Sequence, residues 1–299
     1  MVSNYIKMKI ILLLAASFST LMAVAQPKII TQAIVTTSTN VIAPDEEDDV
    51  TQIQPQGGRE GGGMGRFFST MMDGETKTTT YIKSDMVKTD VKSESLKMTI
   101  FRDNATKTTT TFTEIMGNKN GIRTTDADQE AMGKRMDSMR KERMKTDTAA
   151  GKPRMRTVEP EITVVYVEET KKIAGYTCKK ALLIQDKIIR KDTTVVWYNP
   201  DVKFANVAST GGMSGMGMFS TQMQAGVSFE KVNGFVMQYE QKMSRGRKME
   251  VKVIKIVTDK EIAATEFDMP KDIEVKNLKD VIGNGGGGMR MMMGGGRPQ

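Results

Sequence analysis

The chain reads as a mainly β (α+β) protein: an antiparallel sheet into which one charged helix is inserted. Three observations lead there. Short runs rich in Val, Ile, Thr and aromatic residues recur along the sequence, several with apolar–polar alternation. Clusters of Gly, Asn, Asp and Pro punctuate them at short intervals. Only one segment combines helical spacing with helix-end signals. At 38% hydrophobic residues in 299 the core can be sizeable, but aromatics are 6%, so Val, Ile, Leu and Met must fill it.

The N-terminal segment comes first. Lys7 and Lys9 precede an apolar run from Ile10 to Ala16, continued by Leu21 and Met22, and Ala23-Val24-Ala25 supplies small residues. That is the three-part pattern of a secretory signal peptide, with cleavage expected after Ala25; it is too short and interrupted to span a membrane. Residues 1–25 are assigned to this leader and 26–282 to one β domain. The expected location is the periplasm or the exterior, with no membrane span.

Ile29 to Ile42 reads as the first strand. Pro44 and the acidic run Asp45 to Asp49 break it, and glycine dominates 57–65, so 43–66 reads as a flexible, solvated loop. Lys77 to Ile82, a turn at Lys83-Ser84-Asp85, and Met86 to Val91 form a hairpin. Leu96, Met98 and Ile100 then alternate with Lys97 and Thr99, and Lys107 to Phe112 follows a turn. Thr forms strands well but buries little area, so these strands read as the solvated side of the sheet.

Residues 126–146 form the inserted helix. Asp126 is placed as its cap with Gln129 at the capping-box position, and basic residues from Arg140 to Lys145 fall in the last turns. Met132, Met136 and Met139 share one narrow face while the rest is charged. Further strands are expected at Ile162 to Val167, at Ala181 to Ile184 with Ala174 to Cys178 leading in, and at Thr193 to Tyr198. Phe235, Met237 and Tyr239 alternate on another, and Met249, Val251 and Val253 on the next. Residues 209–219 read as a Gly/Met loop, and 283–299, made of Gly, Met and Arg, as a disordered tail.

Composition removes several function classes. There is no histidine, so Ser-His-Asp and Cys-His catalysis and His-containing zinc sites are excluded. Cys178 is the single cysteine. It can form no internal disulfide, lies far from the cleavage site and so does not make the chain a lipoprotein, and reads as a small buried residue. Without Lys7 and Lys9 the chain has 42 basic and 36 acidic residues, a net +6, spread along the strands. No nucleic-acid motif is present, and nucleic acid is not an expected partner.

The run Lys171-Lys172-Ile173-Ala174-Gly175-Tyr176-Thr177-Cys178-Lys179-Lys180, with Val196-Trp197-Tyr198-Asn199-Pro200-Asp201 after it, resembles the secreted GLPGLI-type proteins. It also resembles related envelope families of unknown function with a fold like that of the lipoprotein carriers LolA and LolB. Asn233 to Glu240, Phe267-Asp268-Met269-Pro270 and Tyr81 to Lys88 are similar to their other motifs, and the likeness covers most of 28–278. The Gly-Leu-Pro-Gly-Leu-Ile motif itself is absent; Val232 to Met237 occupies its place. The resemblance implies a strongly curved sheet, a half-barrel, with helices over its concave side. It implies no catalytic residue.

Three functions are carried forward. The first is a non-enzymatic exported protein binding a hydrophobic ligand, such as an acyl chain or lipidated partner. The helix lies across the concave face, and Met132, Met136, Met139, Trp197, Phe235, Met237 and Tyr239 line the pocket. The second is an envelope structural or interaction protein with no small ligand. The third is a Cu(I) binder using thioethers of Met213 to Met218 and Met289 to Met293 among the 26 methionines. No cofactor and no metal site are assigned. Asp45 to Asp49 lacks the spacing of a Ca²⁺ loop, and the Gly-rich segments lack a phosphate-loop pattern.

Overall fold

A computed structural model describes residues 29–42, 74–94, 96–115, 117–149, 161–186, 191–205, 229, 231–242 and 247–283. The leader, the loop 43–66, the loop 209–219 and the tail from 284 onward lie outside the described residues. The strands are β1 (Ile29–Ile30), β2 (Gln32–Ile42), β3 (Gly74–Lys83), β4 (Met86–Lys92), β5 (Leu96–Asp103), β6 (Thr108–Ile115) and β7 (Asn118–Thr125). After helix α1 (Asp126–Ala149) come β8 (Glu161–Ile173), β9 (Tyr176–Asp186), β10 (Lys191–Asn199), β11 (Lys203–Phe204), β12 (Phe235–Lys242) and β13 (Lys248–Val257). A 3₁₀ turn (Ala264–Phe267), β14 (Val275–Asn277) and the short helix α2 (Leu278–Gly283) complete the described chain.

The protein is mainly β. Twelve strands form one sheet in the order β14-β7-β6-β5-β4-β3-β2-β13-β12-β10-β9-β8, and β1 and β11 form a separate parallel pair. Within the large sheet only β14 beside β7 is parallel. The chain order explains this: tight turns join β3 to β4 and β8 to β9, which can only give antiparallel neighbours. Ser84 has φ +51°, and Ala174 and Gly175 have φ +49° and +86°. Two consecutive positive φ values suit a two-residue hairpin turn whose twist matches the strands. Ala174 and Gly175 thus turn the chain, correcting their placement in a run leading into the following strand.

The sheet is open and curved. Val91, Leu96, Met98 and Ile100 of β4 and β5 belong to the same apolar cluster as Ala181, Leu183, Val196 and Tyr198 of β9 and β10. Four strands separate β4 from β10 in the sheet order, so a sheet bent toward itself is needed to join them. A second cluster gathers Ala33, Val35, Ile82 and Val87 with Cys178, Phe235, Met237 and Val253 at the other end of the strands. Between the clusters lie Thr37, Thr39, Thr76, Thr78, Thr80 and Thr89, all buried. The threonine-rich strands are therefore not simply solvated. A β-branched Thr occupies the space of a Val, and the hydroxyls of Thr80 and Thr89 lie 3.3 Å apart in a hydrogen bond.

The helix departs from expectation in three ways. Its cap is Thr125 rather than Asp126: Asp128 N–H donates to Thr125 Oγ1 at 3.1 Å, and Thr125 N–H donates to Asp128 Oδ2 at 3.1 Å. Those reciprocal bonds are a capping box set one residue earlier. The helix runs to Ala149, so its last turn holds no basic residue. Finally, among the described residues α1 meets the sheet only where it leaves β7, and its side chains are exposed or half-buried rather than laid across the concave face. It starts where β7 ends, with no linker, near the β14 edge and far from β10 and β12 in the sheet.

Residues 258–278 form a strap over the outer face of β2 to β7. Lys83 Nζ donates to the Ile262 carbonyl at 2.6 Å, and Gln32 Nε2 to the Lys260 carbonyl at 3.0 Å. Ile262 and Leu278 are buried, and β14 then pairs with β7. Beneath the strap sit Phe101 and Phe112, buried and stacked edge to face with centroids 5.8 Å apart.

Candidate functional site

Three of the five motif segments, Lys171–Lys180, Val196–Asp201 and Asn233–Glu240, meet in space. Asn199, at the end of β10, donates from Nδ2 to the Thr177 carbonyl at 2.9 Å. Its Oδ1 accepts from the backbone of Asp201 at 2.9 Å and Val202 at 2.8 Å. Gly234, just before β12, lies against the Asn199 carbonyl, and Cys178 and Trp197 pack in the cluster alongside. Burial pushes the Cys178 thiol up to about 11, opposite to what a nucleophile needs. These motifs do structural work: the Asn199 side chain ties β9 to the turn after β10, and its backbone carbonyl meets Gly234 at the start of β12.

The residues expected to line an apolar pocket are divided by the fold. Phe235, Met237 and Tyr239 are 3%, 1% and 2% exposed; Phe235 stacks on Phe204 and Tyr239 on Phe229. Tyr198 is buried and Trp197 half-buried, as their alternation predicts. Trp197 meets Lys171 Nζ at 4.7 Å and Lys180 Nζ at 5.6 Å from its ring centroid. Met132 is half-buried and Met139 exposed, both on α1 and away from the β10–β12 group; the Met136 side chain lies outside the described residues. The six described residues of this set are not brought together.

A cleft of about 260 Å³ opens instead between the strap and the outer face of β4 to β7. Pro270, Asp272 and Ile273 roof it; Lys92, Lys97, Thr99, Phe112, Glu114 and Lys119 are among its walls. Alternation along each strand aims Lys92, Lys97, Glu114 and Lys119 outward while Val91, Leu96 and Met98 face the core. Lys119 and Asp272 form an exposed ion pair at 2.9 Å across the mouth. Their hydrogen bond raises the lysine pKa and lowers that of the carboxyl. Glu114 stands 3.7 Å from Lys97.

Further along the strap, Lys88 lies 3.4 Å from both Asp90 and Glu266 and 5.1 Å above the Tyr81 ring. Burial, then the charges of Glu266 and Asp90, push the Tyr81 phenol up against the pull of Lys88. This cluster fastens the strap to β4. Asp126 makes a forked pair with Arg102, accepting at 2.6 and 2.9 Å, which holds its carboxyl below the ordinary range. Among the described residues no group of three His, Cys, Asp or Glu could hold a metal. The cleft sets three lysines, Lys92, Lys97 and Lys119, against three carboxylates, Asp90, Glu114 and Asp272, and offers a partner ion pairing and hydrogen bonding.

Sequence reasoning missed this cleft. A usable signal existed in the Ser84–Asp85 turn, because Lys77 and Lys92 stand at equal distance on either side of it and so pair across the hairpin. Nothing comparable announces the strap. Among the described residues, no helix is long and apolar enough to cross a membrane.

No family model and no curated protein matches the chain. Two solved structures of PNGF-II, in P21 and C2 crystals, overlap 85% and 83% of it at 14% and 13% identity, with TM-scores of 0.34 and 0.36. The chain spans about a third of those proteins, 34% and 31% of their length. Overlap this loose transfers neither fold nor function.

Proposed function

We propose that this protein is an exported, non-enzymatic binding protein that engages an envelope partner through the outer face of its sheet. One observation carries the reading. Phe235, Met237 and Tyr239, the side chains suited to an apolar pocket, pack against one another's neighbours in the core. The cleft beneath the strap is lined instead by lysines and carboxylates. Among the described residues, apolar surface filled by side chains in this way stabilises the sheet rather than offering volume to an acyl chain. Non-enzymatic action is supported by the absence of histidine and by a buried thiol held in its protonated form.

Native mass spectrometry of detergent-free protein from its own host tests this reading against the ligand carrier. The expected result is the bare polypeptide mass, unchanged after lipid extract is added. A lipid mass that leaves on denaturation would overturn it in favour of the carrier. A bound copper mass, retained against a Cu(I) chelator, would favour the methionine-based metal reading.

A further inference from the structure

Lysines far apart in sequence form a line across the outer face. Lys252 of β13 faces Ser38 of β2, and Ser38 faces Lys77 of β3. Lys77 faces Lys92 of β4, and Lys92 faces Lys97 of β5. With strands about 4.8 Å apart, four ammonium groups lie along roughly 19 Å, interrupted only by one hydroxyl. Lys77, Lys92 and Lys252 are exposed, and among the described residues none of the three ammonium groups has an ion pair or hydrogen bond. Like charges placed directly opposite on neighbouring strands destabilise a sheet. Of the nearby carboxylates, Glu75 is engaged by Ser38 and Asp90 by Thr99 and Lys88, while Glu114 pairs with Lys97 at the end of the line. Beyond Lys97 the line enters the cleft under the strap, where Lys119 stands next but one across the sheet.

From this line we infer that the outer face binds a linear polyanion, specifically an acidic polysaccharide with a carboxylate on each sugar. The inference rests on the interaction reading above. Charges recurring at the strand spacing match a chain whose charges recur at about one sugar unit. The line also runs across a curved sheet and ends beneath the roof formed by Pro270 and Ile273. A single chain can follow that course, whereas a flat bilayer meets only the exposed end. Among the described residues no aromatic side chain stands directly opposite Lys77 or Lys92, and Phe112 in the cleft is buried, which disfavours single-stranded nucleic acid.

The test uses the full mature chain, oligogalacturonate as the probe, and dextran of similar length as the neutral control. Thermophoresis at low and physiological salt should show oligogalacturonate binding that weakens as salt rises, with none to dextran. The combined variant Lys77→Gln, Lys92→Gln, Lys97→Gln should bind at least ten-fold more weakly while melting at the same or a higher temperature. A charge-matched variant, Lys203→Gln, Lys260→Gln, Lys276→Gln, should bind like the parent. The proposal is overturned if the row variant keeps its affinity, or if the matched variant loses as much. It is also overturned if anionic phosphatidylglycerol vesicles, and not the oligosaccharide, show the row dependence. Binding that appears only after Asp45 to Asp49 are replaced by their amides would assign the row to the chain's own acidic run and overturn it too. Native masses from the same preparation keep the two failures apart: a lipid adduct defeats the interaction reading, while a bare mass without oligosaccharide binding defeats only the polyanion.

Discussion

Gly234 lies so close to Asn199 that a Cβ on it would stand 2.5 Å from the Asn199 carbonyl oxygen and 2.8 Å from Pro200 Cα. Its φ of +150° is also one that other residues rarely adopt. Both obstacles are backbone, which cannot swing aside. Gly234→Ala is expected to cost about 2–3 kcal/mol through overpacking and strain. Urea unfolding of the variant checks this; an unchanged midpoint would mean the β10–β12 connection relaxes freely.

Asn199→Ala removes the acceptor for the Asp201 and Val202 N–H groups, the second of them buried, and the donor to Thr177. The expected loss is about 2–3 kcal/mol, since orphaned backbone groups carry their full desolvation cost. Asn199→Asp should recover the two accepted bonds but not the donated one, and so fall between. Equal losses for Ala and Asp would put the weight on the Thr177 bond alone.

Cys178 gives a pH signature at the alkaline end. Its folded pKa, about 11, lies above the ordinary thiol value, so the native state holds a proton that the unfolded chain releases. Stability from this source is present below the unfolded pKa and is lost as pH rises from about 8.5 toward 11. Cys178→Ala should flatten that part of the profile. The native thiol should also resist iodoacetamide at neutral pH and react once denatured.

Asp126 acts in the opposite direction. Arg102 lowers its pKa, so its contribution is present above the unfolded carboxylate value, about 3.9, and is lost as pH falls through the folded one. Asp126→Asn should lower the melting temperature slightly at neutral pH, because the pair is partly exposed and screened. The gap between parent and variant should close below about pH 4. A gap that persists in acid would point to packing instead.

Ile262 is the strap's buried anchor, and its carbonyl takes the bond from Lys83. Ile262→Ala is expected to cost about 2–4 kcal/mol. Hydrogen exchange should then quicken in β14 and β7 before it does in β10. Uniform acceleration across the sheet would show that the strap does not open separately.

Strands with one large apolar residue every second position were legible from sequence: Leu96, Met98 and Ile100 mark β5, and Val196 with Tyr198 marks β10. β7 escaped because Asn118 to Thr125 holds only Ile122 as a large apolar side chain; its place comes from pairing with β6. The buried threonines were misread because alternation in a Thr-Thr-Thr run is invisible to hydropathy, although β3 buries Thr76, Thr78 and Thr80 in strict alternation. The cap moved by one residue, from Asp126 to Thr125, because Asp126 is occupied by Arg102, a partner distant in sequence. The candidate site was unreadable for a related reason: a lysine row is a property of register, and register spans five strands here.

The seam between β2 and β13 has a consequence for how the molecule comes together. β3 to β7 is a meander whose contacts are local, so it can zip as soon as it is made. β2, however, takes its second partner from residues more than two hundred positions later, Ile42 beside Lys248 and Ile34 beside Val257. Closing so long a loop is entropically slow, and folding dominated by such pairings runs on the order of milliseconds to seconds. Until Lys248–Val257 arrives, one side of β2 is an open edge rich in β-formers, able to pair with a neighbouring chain. The first strand of the sheet is thus the last to be secured, and a chain cut before β13 would keep a folded meander with a sticky margin.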